Sequence, residues 1–509
     1  MASSSTSPPT SPGDVTKILR KVDRRLIPIL FFTYMLNFMD KTILSSASVF
    51  GLIDDTNLVG QQYSWVSSIF YFGYFFWEAP TNLLIPRLPV AKYLTANTLF
   101  WGAVVALTAA CVNYGGLLAV RFLLGVAEAT ITPAFMFITT SWYTRDEIPM
   151  RTGIWFSGNS IGGLVASLLA YGVGHIPGPL SPWQWMYIIL GVATFLWALV
   201  LFFFLPDSIS KARFLTPTER TLMTHRVLIA GTGRTEQTTW SWPQTRECLI
   251  DPKSAFLFSL ACLTQIPNGG TQNFSNLVIT SFGFTALQST LLNIPTSLIS
   301  AATIGVTGWI ASRYRNATCL LLVGITLLSI TGSAIIYARA HVPLGAQLFG
   351  YFLLATGPGA LPLIMSLVQA NYRGVSKKMC MTALMFVAYC AGNIGGPHLF
   401  RSSEAPIYQT SFRAIMVCYS IAGVLAVALR GYLGWLNRRR DVREGVRGDA
   451  GLAGAVIGVE GRVGGKAQQG REQTRQRQDV SELVHSVELR SEDYEDVTDW
   501  KTVGFRYRL

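Results

Sequence analysis

The stretch WMYIILGVATFLWALVLFFFL, residues 185–205, contains no Asp, Glu, Lys or Arg. An α-helix needs about 20 mostly apolar residues to cross the hydrocarbon core of a bilayer. The stretch therefore predicts a transmembrane helix that ends near residue 205.

Eleven further apolar runs of similar length follow the same rule. The first five lie at 26–50, 63–85, 94–112, 117–141 and 152–174, and the later six at 255–281, 287–310, 318–338, 345–369, 380–400 and 412–436. A polar stretch separates the two sets, so the chain is predicted to be an all-α membrane protein of twelve transmembrane helices. The predicted division is a disordered N-terminal tail (1–25), a six-helix bundle (26–205), a linker (206–254), a second six-helix bundle (255–436) and a mostly disordered tail (437–509). For the last residues, WKTVGFRYRL, we expect a floppy end, with docking through their three aromatic residues as the alternative.

Composition agrees with a chain that meets lipid along most of its length. Of 509 residues, 50% are hydrophobic and only 14% are charged, whereas soluble domains carry about 25% charged residues. The net charge of +13 does not indicate nucleic-acid binding, because Lys and Arg lie in the tails and alternate loops. That distribution follows the positive-inside rule and predicts that both termini are cytoplasmic.

Enzyme and metal chemistry find no support in the motifs. The seven cysteines form no CxxC pair, and neither HExxH nor a Walker-type GxxxxGK[ST] motif occurs. We expect no catalytic residues, no metal and no cofactor, and the absence of a nucleotide-binding loop argues against an ATP-driven pump.

Ionisable residues interrupt three of the predicted helices in the first half. They are Asp40 and Lys41 in the first helix, Glu78 in the second, and Arg121 and Glu128 in the fourth. A charge at the bilayer centre costs at least about 2.5–3.5 kcal/mol on insertion scales, so such residues usually pair or line a cavity. Seven residues bring Arg121 and Glu128 back to one helix face, about 10 Å apart along the axis.

Two interpretations of these charges remain open. The functional one is a cavity in which Arg121 and Lys41 bind an anion while Glu128 and Asp40 carry a proton. Burial favours a protonated carboxyl and a nearby cation favours the ionised form, so anion binding and proton uptake would be linked. The alternative is a static ion-pair network that joins two helices.

Other polar residues within the predicted helices indicate a function less directly. Glu78, near the cytoplasmic end of the second helix, is expected to form a gate or a salt bridge with a loop arginine such as Arg87. Gln272, Asn273, Asn293 and Asn393 interrupt apolar helices of the second half. Interhelical hydrogen bonding and substrate contact are equally compatible with each of them.

Several segments together resemble one family. They include NFMDKTIL at 37–44, EAPTNLLIPRLPVAKYL at 78–94, RFLLGVAEATITPAF at 121–135, LPDSISKARFLTPTER at 205–220, AGNIGGP at 391–397 and the closing VTDWKTVGFRYRL. With the six-plus-six arrangement, they resemble the major facilitator superfamily, in the fungal allantoate permease-like branch of its anion:cation symporter family. That resemblance implies two pseudo-repeat halves around a midplane site.

The resemblance also implies roles for individual residues. Asp40 and Glu128 would carry protons and a proton gradient would supply the energy. The substrate contacts that it implies are Lys41, Arg121, Gln272 and Asn393, and the loop residues that it implies for gating are Arg87 and Lys92. Independently of the resemblance, we predict Tyr74 as a further substrate contact and Glu78 as a further gating residue. The family commonly has Arg where Lys41 stands, and Lys cannot bind a carboxylate bidentately.

The leading hypothesis is proton symport of a small anionic metabolite by a monomer in the plasma membrane, with alternating access and no nucleic-acid partner. A second hypothesis is export of an acidic secondary metabolite, which adjacent biosynthetic genes would favour. A third is a nutrient sensor that binds without transporting, for which a transport-dead but signalling-competent protein would be diagnostic.

Overall fold

The computed structural model describes residues 12–144, 147–229, 240–314, 316–405, 407–443, 498–502 and 505–509. Its regular secondary structure in these ranges is entirely helical, and twelve long helical segments follow one another. We label them α1 (Pro12–Ala47), α2 (Gln62–Leu84), α3 (Val90–Thr108), α4 (Tyr114–Trp142), α5 (Ile148–Val173), α6 (Pro182–Phe204), α7 (Pro252–Ser281), α8 (Ala286–Arg313), α9 (Thr318–Tyr337), α10 (Leu344–Asn371), α11 (Val375–Gly395) and α12 (Gln409–Arg443). Two further helices, Pro217–Ile229 and Trp242–Ile250, lie in the linker. The twelve-helix membrane fold predicted from the sequence is confirmed.

Ten of the twelve segments are long and apolar enough to cross a membrane by length and composition. The exceptions are α2 and α7, in which Ser, Tyr, Asn, Gln and Thr dilute the apolar residues. Both helices contribute polar side chains to the centre of the molecule. Their lower hydropathy therefore reflects where they lie in the bundle.

Glycine allows α2 and α4 to pack backbone against backbone. A Cβ on Gly73 would collide with the carbonyl oxygen of Phe122, and a Cβ on Gly125 with that of Phe70. Small residues at helix contacts in membranes permit such close approach. The contact holds Arg121, one turn before Gly125, beside the aromatic face of α2.

The two halves are joined at the end of the bundle that lies away from the chain termini. Ser45 and Ser46, near the end of α1, are hydrogen-bonded to Ser275 and Asn276 of α7 at 2.8–3.1 Å. Hydroxyl groups at the start of α2 donate to carbonyls of the second half: Tyr63 to Asn273, Ser64 to Pro397 and Ser68 to Ile394.

Ion pairs at the opposite end stay within one half and its adjoining part of the linker. Arg226 of the linker pairs with Glu147 at 2.5 Å, and Lys21 with Glu219 at 2.9 Å. Among the described residues, the hydrogen bonds that join the halves thus form a seal at the end remote from the termini, which we call the distal seal.

The predicted N-terminal boundary is wrong. Residues 12–25, assigned to a disordered tail, are the first turns of α1. Ile18, Val22 and Leu26 recur every four residues and are buried, so this segment packs against the bundle along one face. Residues 1–11 lie outside the described part.

The C-terminal expectation is also corrected in part. α12 continues to Arg443, beyond the predicted boundary at 436. Residues 498–509, expected to be a floppy end, are docked where described, because Asp499 is fully buried between Lys253 and Lys377 and forms salt bridges with both. Residues 444–497, to which the disorder prediction mainly applies, lie outside the described ranges.

Candidate functional site

A hydrogen-bonded ring of three side chains occupies the interface between α1 and α4. Lys41 Nζ lies 3.2 Å from Glu128 Oε2 and donates to Asn37 Oδ1 at 3.2 Å. Asn37 Nδ2 donates to the same Glu128 oxygen at 2.8 Å. The Glu128 side chain has no exposed surface, whereas that of Lys41 is 17% exposed, so the lysine forms the accessible edge of the ring.

Arg121 lies on α4 but does not pair with Glu128. Its Nη2 donates to the Tyr187 hydroxyl at 2.5 Å, and the guanidinium stands 5.6 Å from the centre of that ring. Its Nε is buried and has no hydrogen-bond acceptor in the described part of the chain. The guanidinium is therefore anchored to α6 through Nη2, while its Nε retains its donor capacity.

Asp40 and Lys41 are neighbours in sequence but point to different partners. Asp40 Oδ2 accepts a 2.5 Å hydrogen bond from the indole nitrogen of Trp101 on α3. Its Oδ1 is buried without a hydrogen-bond donor among the described residues. The Asp40 side chain therefore faces α3. It lies within electrostatic range of Glu128, Arg121 and Lys41 but forms no ion pair with the two cations.

A small cavity at the interface of the halves brings several predicted site residues together. Its lining consists of Lys41, Leu44, Ser67, Phe70, Tyr71, Arg121, Gln272 and Asn273. The cavity volume is only about 10 Å³, room for about one water molecule. Lys41, Arg121 and Gln272 therefore share one small cavity.

Aromatic rings bound this region between the halves. Tyr74 stacks on Phe386 of α11 with ring centres 5.3 Å apart, and Tyr71 meets Tyr389 edge to face at 5.9 Å. Lys41 Nζ lies 5.5 Å from the centre of the Tyr74 ring. Tyr74, predicted to contact substrate, is thus next to the Lys41 cation while contacting the opposite half.

Asn393 does not line this cavity. It is fully buried, donates to Gln265 Oε1 at 3.1 Å and accepts from Asn268 at 3.3 Å. These bonds tie α7 to α11, so the structure supports interhelical bonding and places Asn393 outside the cavity lining. Its role as a direct substrate contact stays a prediction, since in this conformation α7 presents Gln265 toward Asn393 and Gln272 toward the cavity.

The predicted gate residues do not form the expected ion pair. Glu78 accepts from Asn82 Nδ2 at 3.4 Å, and its other oxygen is buried without a donor in the described ranges. Arg87 is exposed and follows nine residues later, about 13 Å along a helix. Because α2 remains helical to Leu84, it separates the two groups. The backbone N–H of Lys92 donates to Asp207 at 3.4 Å, which links α3 to the linker.

Three partners of these charges escaped prediction. Asn37 could have been found, because four residues place it on the same helix face as Lys41. Trp101 and Tyr187 lie in apolar runs where aromatic residues are common, and nothing in their spacing identifies Asp40 and Arg121 as partners. The described residues also contain no group of three or more His, Cys, Asp or Glu side chains suited to a metal.

Known proteins share both the sequence and the fold. The profile of the Major Facilitator Superfamily matches residues 30–397. Transporter C757.13 of Schizosaccharomyces pombe is 35% identical over 428 residues, which cover 84% of this chain and 81% of that protein. Allantoate permease of Saccharomyces cerevisiae is 31% identical over 456 residues, which cover 86% of this chain and 83% of that protein.

A solved structure confirms the arrangement of the helices. The crystal structure of a bacterial homologue of the human lysosomal transporter Spinster, in an inward-facing and occupied conformation, superimposes with a TM-score of 0.58. It is 14% identical and the match covers 83% of this chain and 96% of that one. The proteins found by sequence are membrane transporters and not enzymes. The chain is therefore an integral membrane protein of secondary transport that belongs to the Major Facilitator Superfamily, in the fungal branch that includes allantoate permease.

Proposed function

We propose that the protein transports a small organic anion together with protons, by alternating access of the two halves. The observation that carries the proposal is the Lys41–Glu128 ion pair, whose lysine lines the cavity between the halves together with Arg121. Fixed cations that face a shared cavity suit a carboxylate, and the carboxylate of Glu128 suits a proton.

Competition for Lys41 would link the two cargoes. A substrate carboxylate that binds Lys41 takes the ammonium from Glu128 Oε2, where it lies at 3.2 Å. An ionised carboxylate left fully buried without its cation is strongly unfavourable. Proton uptake by Glu128 relieves this state, so anion and proton bind together, and the site carries the same net charge when loaded as when empty.

The cations also indicate the substrate class. Within the described part of the chain, the Nε of Arg121 has no hydrogen-bond acceptor, and guanidinium groups match the planar geometry of carboxylates. Lys41 adds a second cation on the same cavity. The relative allantoate permease is named for a carboxylate, which agrees with this class, and we propose Tyr74 and Gln272 as further contacts.

Orientation follows from the loop charges. Lys and Arg in the tails, the linker and alternate loops predict that both termini are cytoplasmic, and we propose the plasma membrane as the location and a monomer as the working unit. The distal seal then faces outside, so the conformation described here is closed to the exterior. We propose that gating at the cytoplasmic end involves Glu78, Arg87 and Lys92, without an ion pair between Glu78 and Arg87.

Uptake by proteoliposomes tests the proposal. Purified protein is reconstituted, and accumulation of labelled allantoate, nicotinate, pantothenate and biotin is measured with and without an inward proton gradient. We expect gradient-driven accumulation of at least one carboxylate, its loss in Glu128→Gln, and a higher KM in Arg121→Lys. Binding of a carboxylate without accumulation under either gradient direction would contradict transport and favour a sensor.

A further inference from the structure

Asn37 is the only described side chain that contacts both members of the Lys41–Glu128 pair through hydrogen bonds. It lies one helical turn before Lys41 and is 3% exposed. Its amide oxygen accepts from Lys41, and its amide nitrogen donates to Glu128 Oε2. Both polar ends of one side chain, which does not titrate, are thus committed to a cation and a carboxylate.

The two oxygens of Glu128 have different surroundings. Oε2 forms an ion pair with Lys41 and accepts a hydrogen bond from Asn37, whereas Oε1 is buried and has no hydrogen-bond partner in the described part of the structure. If Lys41 moves to a substrate anion, Asn37 still donates to Oε2 and keeps the carboxyl plane fixed. A proton from solvent then adds to Oε1, and Oε2 becomes the carbonyl oxygen that continues to accept from Asn37.

We propose that Asn37 is the positioning residue that couples anion binding at Lys41 to protonation of Glu128. This inference rests on the proposed function. Asn37 keeps the ammonium within reach through Oδ1, and it assigns the proton to Oε1 by occupying Oε2. Without it, the carboxyl can rotate and the exchange of Lys41 for a proton loses its fixed geometry.

Asp40 offers an informative comparison. It too has one oxygen held by an N–H donor, Trp101, and one buried oxygen without a donor among the described residues. Trp101, however, does not line the cavity, so substrate binding has no direct contact through which to act on Asp40. The other ionisable groups that surround Glu128 are Lys41, Asp40, Tyr34, Tyr71 and Arg121.

Comparing two modes of transport distinguishes a loss of proton coupling from a general loss of folded protein. Gradient-driven uptake requires the proton to bind and leave in every cycle, whereas counterflow exchange at equal pH on both sides can proceed with the proton retained. The probe is whichever of the four labelled carboxylates the wild type accumulates best. In Asn37→Ala, we expect gradient-driven uptake to fall about tenfold or more, the effect of one lost hydrogen bond to a charged group, while counterflow falls less than about threefold.

Asn37→Asp is the second variant, because it preserves size and the acceptor for Lys41 but, when ionised, cannot donate to Glu128. The same selective loss is expected. The matched control is Asn97→Ala, which removes a partly buried amide that donates to the carbonyl of Ala127, next to Glu128, at 2.6 Å. The control should leave the ratio of the two modes unchanged.

The outcomes distinguish the inference from the function beneath it. If both Asn37 variants keep the wild-type ratio, or if both modes fall equally, Asn37 does not couple and the inference is overturned. If wild-type uptake ignores the proton gradient, or no carboxylate is taken up, the proposed function fails and the inference falls with it.

Discussion

In each carboxylate of the site, one oxygen accepts hydrogen bonds, and the other oxygen is buried without a donor in the described part of the chain. Asp40 accepts a hydrogen bond from Trp101. Glu128 accepts one from Asn37 and forms an ion pair with Lys41. A single anchored oxygen fixes the orientation of the group yet leaves an oxygen to which a proton can add. A carboxylate bonded on both oxygens would be a better structural anchor and a poorer proton carrier, because protonation would then displace a donor.

Replacing Trp101 by Phe should destabilise the protein more than the loss of volume explains. Asp40 would lose its only hydrogen-bond donor in the described structure, and a hydrogen bond to a charged group contributes about 1.5–3 kcal/mol. Trp155→Phe is the matched control, since Trp155 is 1% exposed and its indole nitrogen has no acceptor in the described ranges. Thermal unfolding in detergent should show a lower midpoint for Trp101→Phe. Equal midpoints would refute the anchoring role.

Asn393 and Gln272 should respond in opposite ways to truncation. Asn393→Ala removes two interhelical hydrogen bonds, so it should lower the unfolding midpoint by the equivalent of about 1–3 kcal/mol with little change in KM. Gln272→Ala removes a cavity-lining amide, so it should raise the KM for uptake while the unfolding midpoint stays near that of the wild type. A raised KM in stable Asn393→Ala protein would support its predicted role as a substrate contact.

The charges of the site could be predicted from the sequence because ionisable residues are conspicuous in apolar runs. Their pairing could not, since Arg121 and Glu128 share a helix face by spacing yet contact different helices. Arg121 reaches Tyr187 on α6, whereas Glu128 reaches Lys41 on α1. Which neighbour a side chain meets depends on how the helices pack, and the spacing within one helix does not contain that information.

At the scale of helices, hydropathy located every span, including the less apolar α2 and α7. Helix ends were less accurate where polar residues continue a helix into water, as at Pro12–Arg25 and at the end of α12. The sequence favoured a floppy end over docking of the last residues for a different reason. The attraction of this segment depends on Lys253 and Lys377, which are distant in sequence and become neighbours only when α7 and α11 pack together.

Asp499→Asn should loosen the second half of the protein. The substitution leaves Lys253 and Lys377, both fully buried, with one carboxylate fewer. Removing one partner of a buried ion pair costs about 3–5 kcal/mol, so the unfolding midpoint should fall clearly. The matched control is Asp441→Asn, which breaks a partly exposed pair with Arg506 worth about 0–1 kcal/mol. Similar midpoints for the two variants would contradict a structural role for the docked segment.

Docking of residues 498–509 should be insensitive to pH near neutrality. Burial alone would raise the pKa of Asp499, but Lys253 and Lys377 outweigh burial and hold that pKa below its ordinary value. A lowered folded-state pKa gives stability that is fully present above the unfolded value of about 3.9 and is lost as pH falls through the folded value. Hydrogen exchange of this segment, corrected for intrinsic rates, should therefore be constant between about pH 5 and 8. A loss of protection within that window would show that another group controls docking.

The whole molecule is asymmetric along its long axis. Hydroxyl and amide groups seal the halves at the distal end, while ion pairs at the other end, such as Arg226–Glu147 and Lys377–Glu247, join each half to its own part of the linker. Alternating access requires the distal seal to break in each cycle. Short Ser–Ser and Ser–Asn contacts suit this task, because a net hydrogen bond between neutral groups contributes only about 0.5–1.5 kcal/mol and water replaces it on opening.

A cross-link through the distal seal should stop transport. The hydroxyl oxygens of Ser45 and Ser275 are 2.8 Å apart, so Ser45→Cys with Ser275→Cys places two thiols at a distance suited to a disulfide. In a background without the seven native cysteines, oxidation should abolish uptake and a reductant should restore it. The control is Ser329→Cys with Thr356→Cys, whose native oxygens are 3.4 Å apart within the second half. That cross-link should leave uptake intact, because each half moves as a unit. Full uptake by the oxidised Ser45–Ser275 pair would mean that substrate passes without opening the seal, and alternating access at this interface would be wrong.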